Sequence, residues 1–254
     1  MDYLKQKNPH KRDTHIHFNE GPHIYTIDGD SDYMSVTTWN HSHFEKFNAD
    51  KIIENMMKSK KWPESKYYGM TPYEIKASWN KNRDEAATAG TNMHENIERF
   101  YNKCPVNDDS IEYKYFEQFH QSHNLIPYRT EWMIWDKELK LAGSIDMIYM
   151  DETGDLHIYD WKRSKEIKKT GYGDKCSCNP ILSHLPDSNF WHYSLQLNTY
   201  QAILERNYGK KIKELFLVCL HPENKNNSYL KIKVPNLQTE IAELFEERKI
   251  KLQQ

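Results

Sequence analysis

The sequence predicts an α/β (α+β) protein, a central mixed β-sheet flanked by helices in a single domain. Three observations lead there. Three strand-like runs, "YRTEWMIW", "LKLAGSIDMIYM" and "LHIYDWKRS", follow one another between Tyr128 and Ser164. A helical portion precedes them, and a helix, two further strands and a last helix follow. Sheet and helices alternating in this order make a layered domain with one core.

At 254 residues the chain is long enough for one large domain or two small ones. Hydrophobic residues make up only 37% and the mean hydropathy is −0.95, so the surface must be very polar. Seven Trp and seventeen Tyr argue against disorder, because disordered chains are poor in aromatics. The net charge of −2 points to neither nucleic acid nor membrane, so any basic surface must be local. Cys104, Cys176, Cys178 and Cys219 have no secreted spacing. No signal peptide and no apolar run long enough to span a membrane is present, and an intracellular, soluble setting is expected.

Taking the elements in order, residues 1–15 are polar and basic and are expected to be flexible. The domain then runs from 16 to 254, with a hairpin and helical portion over 16–85, a core over 86–235 and a C-terminal helix over 236–254. "HIHFNEGPHIYTIDGDSDYMSVTTW" alternates and carries Gly-Asp and Asp-Gly turn signals, which predicts a small hairpin. From Thr71 a helix is predicted, opened by a Thr71–Glu74 capping box and running to about Asn102, with Gly90 marking a break or a close contact. Ser110 to His123 is a further helix. Asp151–Gly154 is a turn, so the second and third strand runs form a hairpin. Lys165–Asp187 has no periodicity and is expected to be a mobile loop. "SNFWHYSLQLNTYQAILERNYG" is an amphipathic helix closed by Gly209.

Asp146, Asp160 and Lys162 stand in segments that otherwise read as buried strands, although Asp is a poor strand residue and an unpaired buried charge is costly. Side chains alternate with period two, so Ile158, Asp160 and Lys162 share one face and Ser144, Asp146 and Ile148 share another. The hairpin brings Asp146 beside Asp160. Two carboxylates so placed repel, and a hard divalent cation with oxygen ligands removes the conflict. A Lys162–Asp146 cross-strand salt bridge is the plain alternative. On the preceding helix Gly90, His94 and Glu98 lie four residues apart on one face, with His94 pointing inward. A single inward His is more often a core residue than a ligand. Gln196 and Tyr200 share a face by the same spacing.

In order, G-T-x-x-H-x-x-I-E (Gly90 to Glu98), G-x-I-D (Gly143 to Asp146), D-x-K (Asp160 to Lys162) and Q-x-x-x-Y (Gln196 to Tyr200) resemble the motif series of RecB-type PD-(D/E)XK nucleases. The resemblance runs from about Ala86 to Leu220. With "HIYTIDG…SVTTW" upstream, the chain is similar to the standalone members in large DNA viruses and to the mitochondrial genome maintenance exonucleases. The resemblance implies a restriction-endonuclease-like PD-(D/E)XK core and a metal-dependent nuclease acting on DNA, as an exonuclease on single strands or ends in replication, repair or recombination. It implies that His94, Asp146, Asp160 and the carbonyl of Trp161 bind the metal. Lys162 would orient the attacking water, and Gln196 and Tyr200 would brace the site or touch the nucleic acid. Glu131 would stand close behind the ligands, and Glu98 and Gly90 would fix the helix or a water.

Mg²⁺ or Mn²⁺, one or two ions, is the cofactor expected; the imidazole favours Mn²⁺ for affinity and cellular availability favours Mg²⁺. No P-loop is present, so no nucleotide cofactor is expected and any helicase would act in trans. The cysteines do not make the iron–sulfur pattern of some relatives, and "CSC" with His184 and His192 fits no common zinc site. Arg163, Lys165, Lys168 and Lys169 could track phosphates, or form a solvated basic loop. Trp191, Tyr193, Tyr67 and Tyr68 could stack unpaired bases, or pack as ordinary core aromatics. An endonuclease on RNA or on branched or flapped DNA would use the same chemistry. A non-catalytic nucleic-acid-binding or scaffold protein is the alternative of another class.

Overall fold

A computed structural model describes all 254 residues. The chain divides into two compact units, residues 1–45 with 93–254, and residues 46–92. In chain order the elements are α1 (Tyr3–Lys7), β1 (Ile16–Asn19), β2 (Ile24–Ile27), β3 (Met34–Ser35), α2 (Val36–His41), α3 (Ala49–Lys58), α4 (Pro72–Tyr101) and α5 (Ile111–Ser122). There follow β4 (Ile126–Asp136), β5 (Leu141–Met150), β6 (Leu156–Lys162), α6 (Asn189–Asn207), β7 (Ile212–Cys219), β8 (Leu230–Lys233) and α7 (Gln238–Leu252). No helix is long and apolar enough to cross a membrane.

The larger unit holds a six-stranded mixed sheet in the order β3-β5-β6-β7-β8, with β4 paired to β5. The predicted fold class is the observed one. Strands β4, β5 and β6 form an antiparallel meander, whereas β6 and β7 run parallel because α6 crosses between them. One face carries Ile148, Ile158, Leu215 and Leu217 beneath residues of α2, α6 and α7. The other carries Met147, Tyr149, Tyr159, Trp161 and Val218 beneath Met93, Ile97 and Tyr101 of α4 and Phe116 and Phe119 of α5. Both faces of β6 are therefore covered, which is why "LHIYDW" is buried throughout.

Strand β5 changes partner along one edge. Leu141 and Ala142 pair with Met34 and Ser35 of β3, and Met147 to Met150 pair with β6, while β4 accompanies the other edge. Gly143–Asp146 have no strand partner on that edge, and the sheet forks there.

Three local expectations need correction. Residues 1–15 are folded: α1 buries Leu4, a second capping box closes a 3-10 turn over Lys11–Thr14, and Asp13 forms a buried ion pair with Arg129 at 2.8 Å. The polar composition hid partners more than a hundred residues away. Helix α4 runs through Gly90 without a break, and a Cβ there would meet nothing within 4 Å, so neither a kink nor a close contact explains the glycine. The surrounding Ala86, Ala87 and Ala89 are strong helix formers and carry the helix across it. The segment 165–187 is irregular but pinned, with Leu182 and Leu185 buried and the Ser177 hydroxyl donating to the His43 carbonyl at 2.6 Å.

The smaller unit contains α3 and the first turns of α4. Its entry to α4 is the predicted box: the Thr71 amide donates to the Glu74 carboxylate at 2.7 Å and the Glu74 amide to the Thr71 hydroxyl at 3.3 Å. Only Ile53 and Ile75 are buried in this unit.

Candidate metal centre

The fork in the sheet is where the acids meet. The β5–β6 ladder ends at Met147–Tyr159, and the next residues on either strand are Asp146 and Asp160. In place of a ladder bond, the Trp161 amide donates to the Asp146 carboxylate at 2.9 Å. Across β5, the β4 ladder pairs Thr130 with Met147 and Trp132 with Ile145, so Glu131 stands opposite Asp146. Glu131 has a φ of 40°, the left-handed region a non-glycine residue rarely adopts and a form of strain that gathers at functional sites. Its carboxylate accepts from the Ser144 hydroxyl at 2.8 Å. Three carboxylates on three adjacent strands thus form a row, Glu131–Asp146–Asp160.

His94 comes from α4, whose Met93 and Ile97 pack on the opposite face of the sheet. Its Nδ1 lies 3.5 Å from Asp146 and 3.9 Å from Glu131. One ligand atom from each of His94, Glu131 and Asp146 lies within 4.8 Å of the others. Ligands about 2.1 Å from a common ion stand no more than about 4.2 Å apart, so a small inward movement would close the set on a hard divalent cation. Glu131, expected behind the ligands, belongs to this triangle by geometry. Asp160 is drawn instead to Lys162, whose Nζ is 2.6 Å from Oδ2, so the salt bridge anticipated for Lys162 and Asp146 is made with Asp160. The Lys162 ammonium also lies 4.6 Å from the Tyr193 ring centre.

The electrostatics are those of a site short of positive charge. Burial pushes the Asp160 carboxyl up; Lys162 pulls it down and Asp146 pushes it up again, leaving it raised. Burial, and then Glu131, raise Asp146 against the pull of His94. Burial disfavours the His94 imidazolium, yet Asp146 and Glu131 outweigh it and hold the ring at about 9. Burial also opposes the Lys162 ammonium, and Asp160 and Asp146 keep it well above the ordinary lysine range. Glu98, one turn after His94, is pushed up to about 7 by burial and by Glu131. With both cations charged, the three acids still leave a net negative charge.

Neither oxygen of Asp160 receives an aligned hydrogen bond although the residue is 2% exposed. Lys162 already meets Oδ2 as a counter-charge, and Oδ1 is left without a partner and open to a further cation. Once His94 releases its proton, as a ligand must, its imidazole and several carboxylate oxygens suit Mg²⁺ or Mn²⁺. The residues fit such an ion.

Gln196 and Tyr200 are joined by a 3.1 Å hydrogen bond, and the Tyr200 ring fills the space beside Gly143, where a Cβ would come within 2.7 Å of it. That close approach explains the glycine of "GSID". Sequence reasoning missed the packing of Gly143, the Ser144 hydroxyl and the Tyr193 ring; Ser144, two residues before Asp146 on the same face, was the one with a readable signal. Among the loop cations, Arg163 is committed to Glu112 at 2.6 Å, Lys168 pairs with Glu166, Lys165 pairs with Glu223, and Lys169 lies over Phe190. Trp191 hydrogen-bonds the Lys169 carbonyl and is half-buried.

A search of curated proteins finds no match to the chain. Among solved structures, it is similar to SSO0001 at 13% identity and a TM-score of 0.34, covering 89% of this chain and 78% of that one. It is also similar to a candidate exonuclease from Eubacterium rectale at 13% identity and a TM-score of 0.33, covering 87% of this chain and 79% of that one. The model of the PD-(D/E)XK nuclease superfamily matches residues 70–253, which include every acid of the row, His94 and Lys162. The chain belongs to the PD-(D/E)XK nuclease superfamily.

Proposed function

We propose that the protein is a metal-dependent deoxyribonuclease of the RecB type, an exonuclease acting on single strands or ends in replication, repair or recombination. The observation that carries this reading is the placement of His94, Glu131 and Asp146 around one point, with Asp160 and Lys162 beside it at the fork of the sheet. The choice of DNA and of ends is taken from the resemblance of the four motifs to RecB-type nucleases and of the upstream "HIYTIDG…SVTTW" to their standalone viral and mitochondrial members.

In this reading His94, Glu131, Asp146 and Asp160, with the Trp161 carbonyl, hold the cation. A bound divalent ion supplies neutralisation of the charge that develops on the phosphoryl oxygens and a more acidic water. Lys162 is kept protonated by Asp160 and Asp146, so it serves as a fixed positive charge and hydrogen-bond donor to the water and to a phosphate oxygen. Ser144 holds Glu131 in orientation, and Gln196 with Tyr200 backs the wall behind Gly143. Lys165 and Lys168, in exposed pairs that exchange at little cost, are the loop cations suited to phosphates; Arg163 is tied to Glu112.

The test is cleavage of end-labelled single-stranded DNA, duplex DNA and RNA with Mg²⁺, Mn²⁺ or EDTA, beside Lys162→Ala. Metal-dependent release of short products from DNA ends, lost in the variant, is expected. Full turnover by a folded Lys162→Ala protein would overturn the mechanism, and internal fragments would replace the exonuclease reading with an endonuclease.

A further inference from the structure

Residues 46–92 differ in charge and surface from the rest of the chain. They carry nine Lys and Arg against six Asp and Glu, a net +3 in a chain of net −2, so the remainder carries −5. They also hold six aromatic residues, Phe47, Trp62, Tyr67, Tyr68, Tyr73 and Trp79, none of them buried. Phe47 is 74% exposed and Tyr73 80%. Aromatics in so small a unit would ordinarily form its core; here Ile53 and Ile75 are the buried residues, Phe47, Tyr68 and Tyr73 are exposed, and Trp62, Tyr67 and Trp79 are half-buried.

Part of this surface is a cradle. Phe47, just before α3, and Trp79 on α4 have ring centres 6.2 Å apart at 53°, and Tyr67 stands edge-on to Trp79 at 6.0 Å. Phe47 and Trp79 line a cavity of about 780 Å³ with Lys46, Lys76 and Arg83. Lys76 pairs with Asp50 at 2.6 Å and Arg83 with Asp84 at 2.9 Å. These pairs are exposed and worth roughly 0–1 kcal/mol each, so exchanging a carboxylate for a phosphate costs little.

We propose that the cradle of Phe47 and Trp79, edged by Lys46 and Arg83, is a binding platform for single-stranded nucleic acid. Planar rings offer stacking faces to unpaired bases whatever their sequence, and the cations take the phosphates on either side. A duplex keeps its bases stacked internally and gains only the charge term, so the platform prefers single strands. The inference rests on the nuclease reading only for its relevance to turnover; the binding itself needs neither metal nor the acids at the fork.

The test is therefore made in EDTA, with fluorescein-labelled dT oligonucleotides of twenty residues and a duplex of equal length, read by anisotropy over a range of salt. Phe47→Ala changes an exposed ring and should leave the fold intact while weakening oligonucleotide binding by about 5- to 100-fold. Lys46→Ala with Arg83→Ala should flatten the slope of log affinity against log salt by about 1.4. Trp79→Phe keeps a stacking ring and should keep affinity, but should lose the quenching of intrinsic fluorescence that the oligonucleotide causes in the wild type. Wild-type affinity, slope and quenching in all three variants would overturn the platform, as would a wild-type chain that binds no oligonucleotide. Neither result touches the nuclease reading, which stands or falls on cleavage; a chain that binds in this way but never cleaves would strike that reading alone.

Discussion

Glu131 stands directly across the β4–β5 ladder from Asp146, in a left-handed backbone conformation, with its carboxylate held by Ser144. Two acids opposite one another on adjacent strands repel, so the pairing is stable only with His94 or a cation between them. Glu131→Gln is expected to reduce Mn²⁺ affinity by more than Ser144→Ala does. Ser144→Ala should cost the roughly 10- to 100-fold typical of removing a residue that orients a ligand. Calorimetric Mn²⁺ titration of both variants checks the order, and equal affinities in Glu131→Gln and wild type would remove Glu131 from the metal set.

Lys162 is the ion-pair partner of Asp160. Lys162→Ala should therefore destabilise the metal-free protein as well as stop cleavage, because it leaves a buried carboxylate unpaired. Losing one member of a buried pair costs about 3–5 kcal/mol, on the order of 10 °C in Tm for a chain of this size. Saturating Mn²⁺ should recover much of that loss by supplying the missing charge. Thermal unfolding with and without Mn²⁺ decides it; a variant as stable as wild type in EDTA would show that Asp160 is compensated by something else.

Gly143→Ala places a methyl against the Tyr200 ring, which is buried and hydrogen-bonded to Gln196. Overpacking of this kind costs about 1–3 kcal/mol, or roughly 2–12 °C in Tm. Tyr200→Leu in the same protein should recover part of the loss, since neighbouring changes are not additive. Calorimetry of the two single variants and the double variant measures the coupling.

Asp13 sets a pH dependence. Burial alone would push its carboxyl up, but Arg129, donating at 2.8 Å, and the Trp132 indole, also at 2.8 Å, bring it below the usual range. A depressed folded pKa contributes stability that is complete above the ordinary carboxylate pKa of about 4 and is lost as pH falls through the folded value. Wild type should therefore lose Tm steeply below pH 4. Asp13→Asn should be less stable at pH 7 by a few kcal/mol, since it leaves Arg129 buried and unpaired, and should show a shallower acid limb. Parallel acid limbs in the two proteins would count against this role.

These residues show what the sequence made legible. Asp146, Asp160 and Lys162 stand out as costly charges in strand-like runs, and His94 joins them only through the resemblance of the whole motif series, since spacing alone leaves a salt bridge and a core histidine open. Glu131 could be seen as an acid near the site, but its place opposite Asp146 depends on the β4–β5 register, which no local pattern states. The Asp13–Arg129 pair joins residues 116 positions apart, so a polar N-terminus read as flexible. The change of partner along β5 is likewise invisible, because a two-residue strand such as β3 carries no periodicity.

Because Gly143–Asp146 lack a neighbour on one edge, the width of the reactive notch is fixed by where backbone pairing stops. Extending the β5–β6 ladder by two residues would zip the notch shut with every acid still present. On the proposed reading, a nucleic-acid backbone could then no longer reach them, and the acids could hold a cation without cleaving. The boundary between those two proteins lies in main-chain hydrogen bonds, one of which the Asp146 carboxylate has replaced.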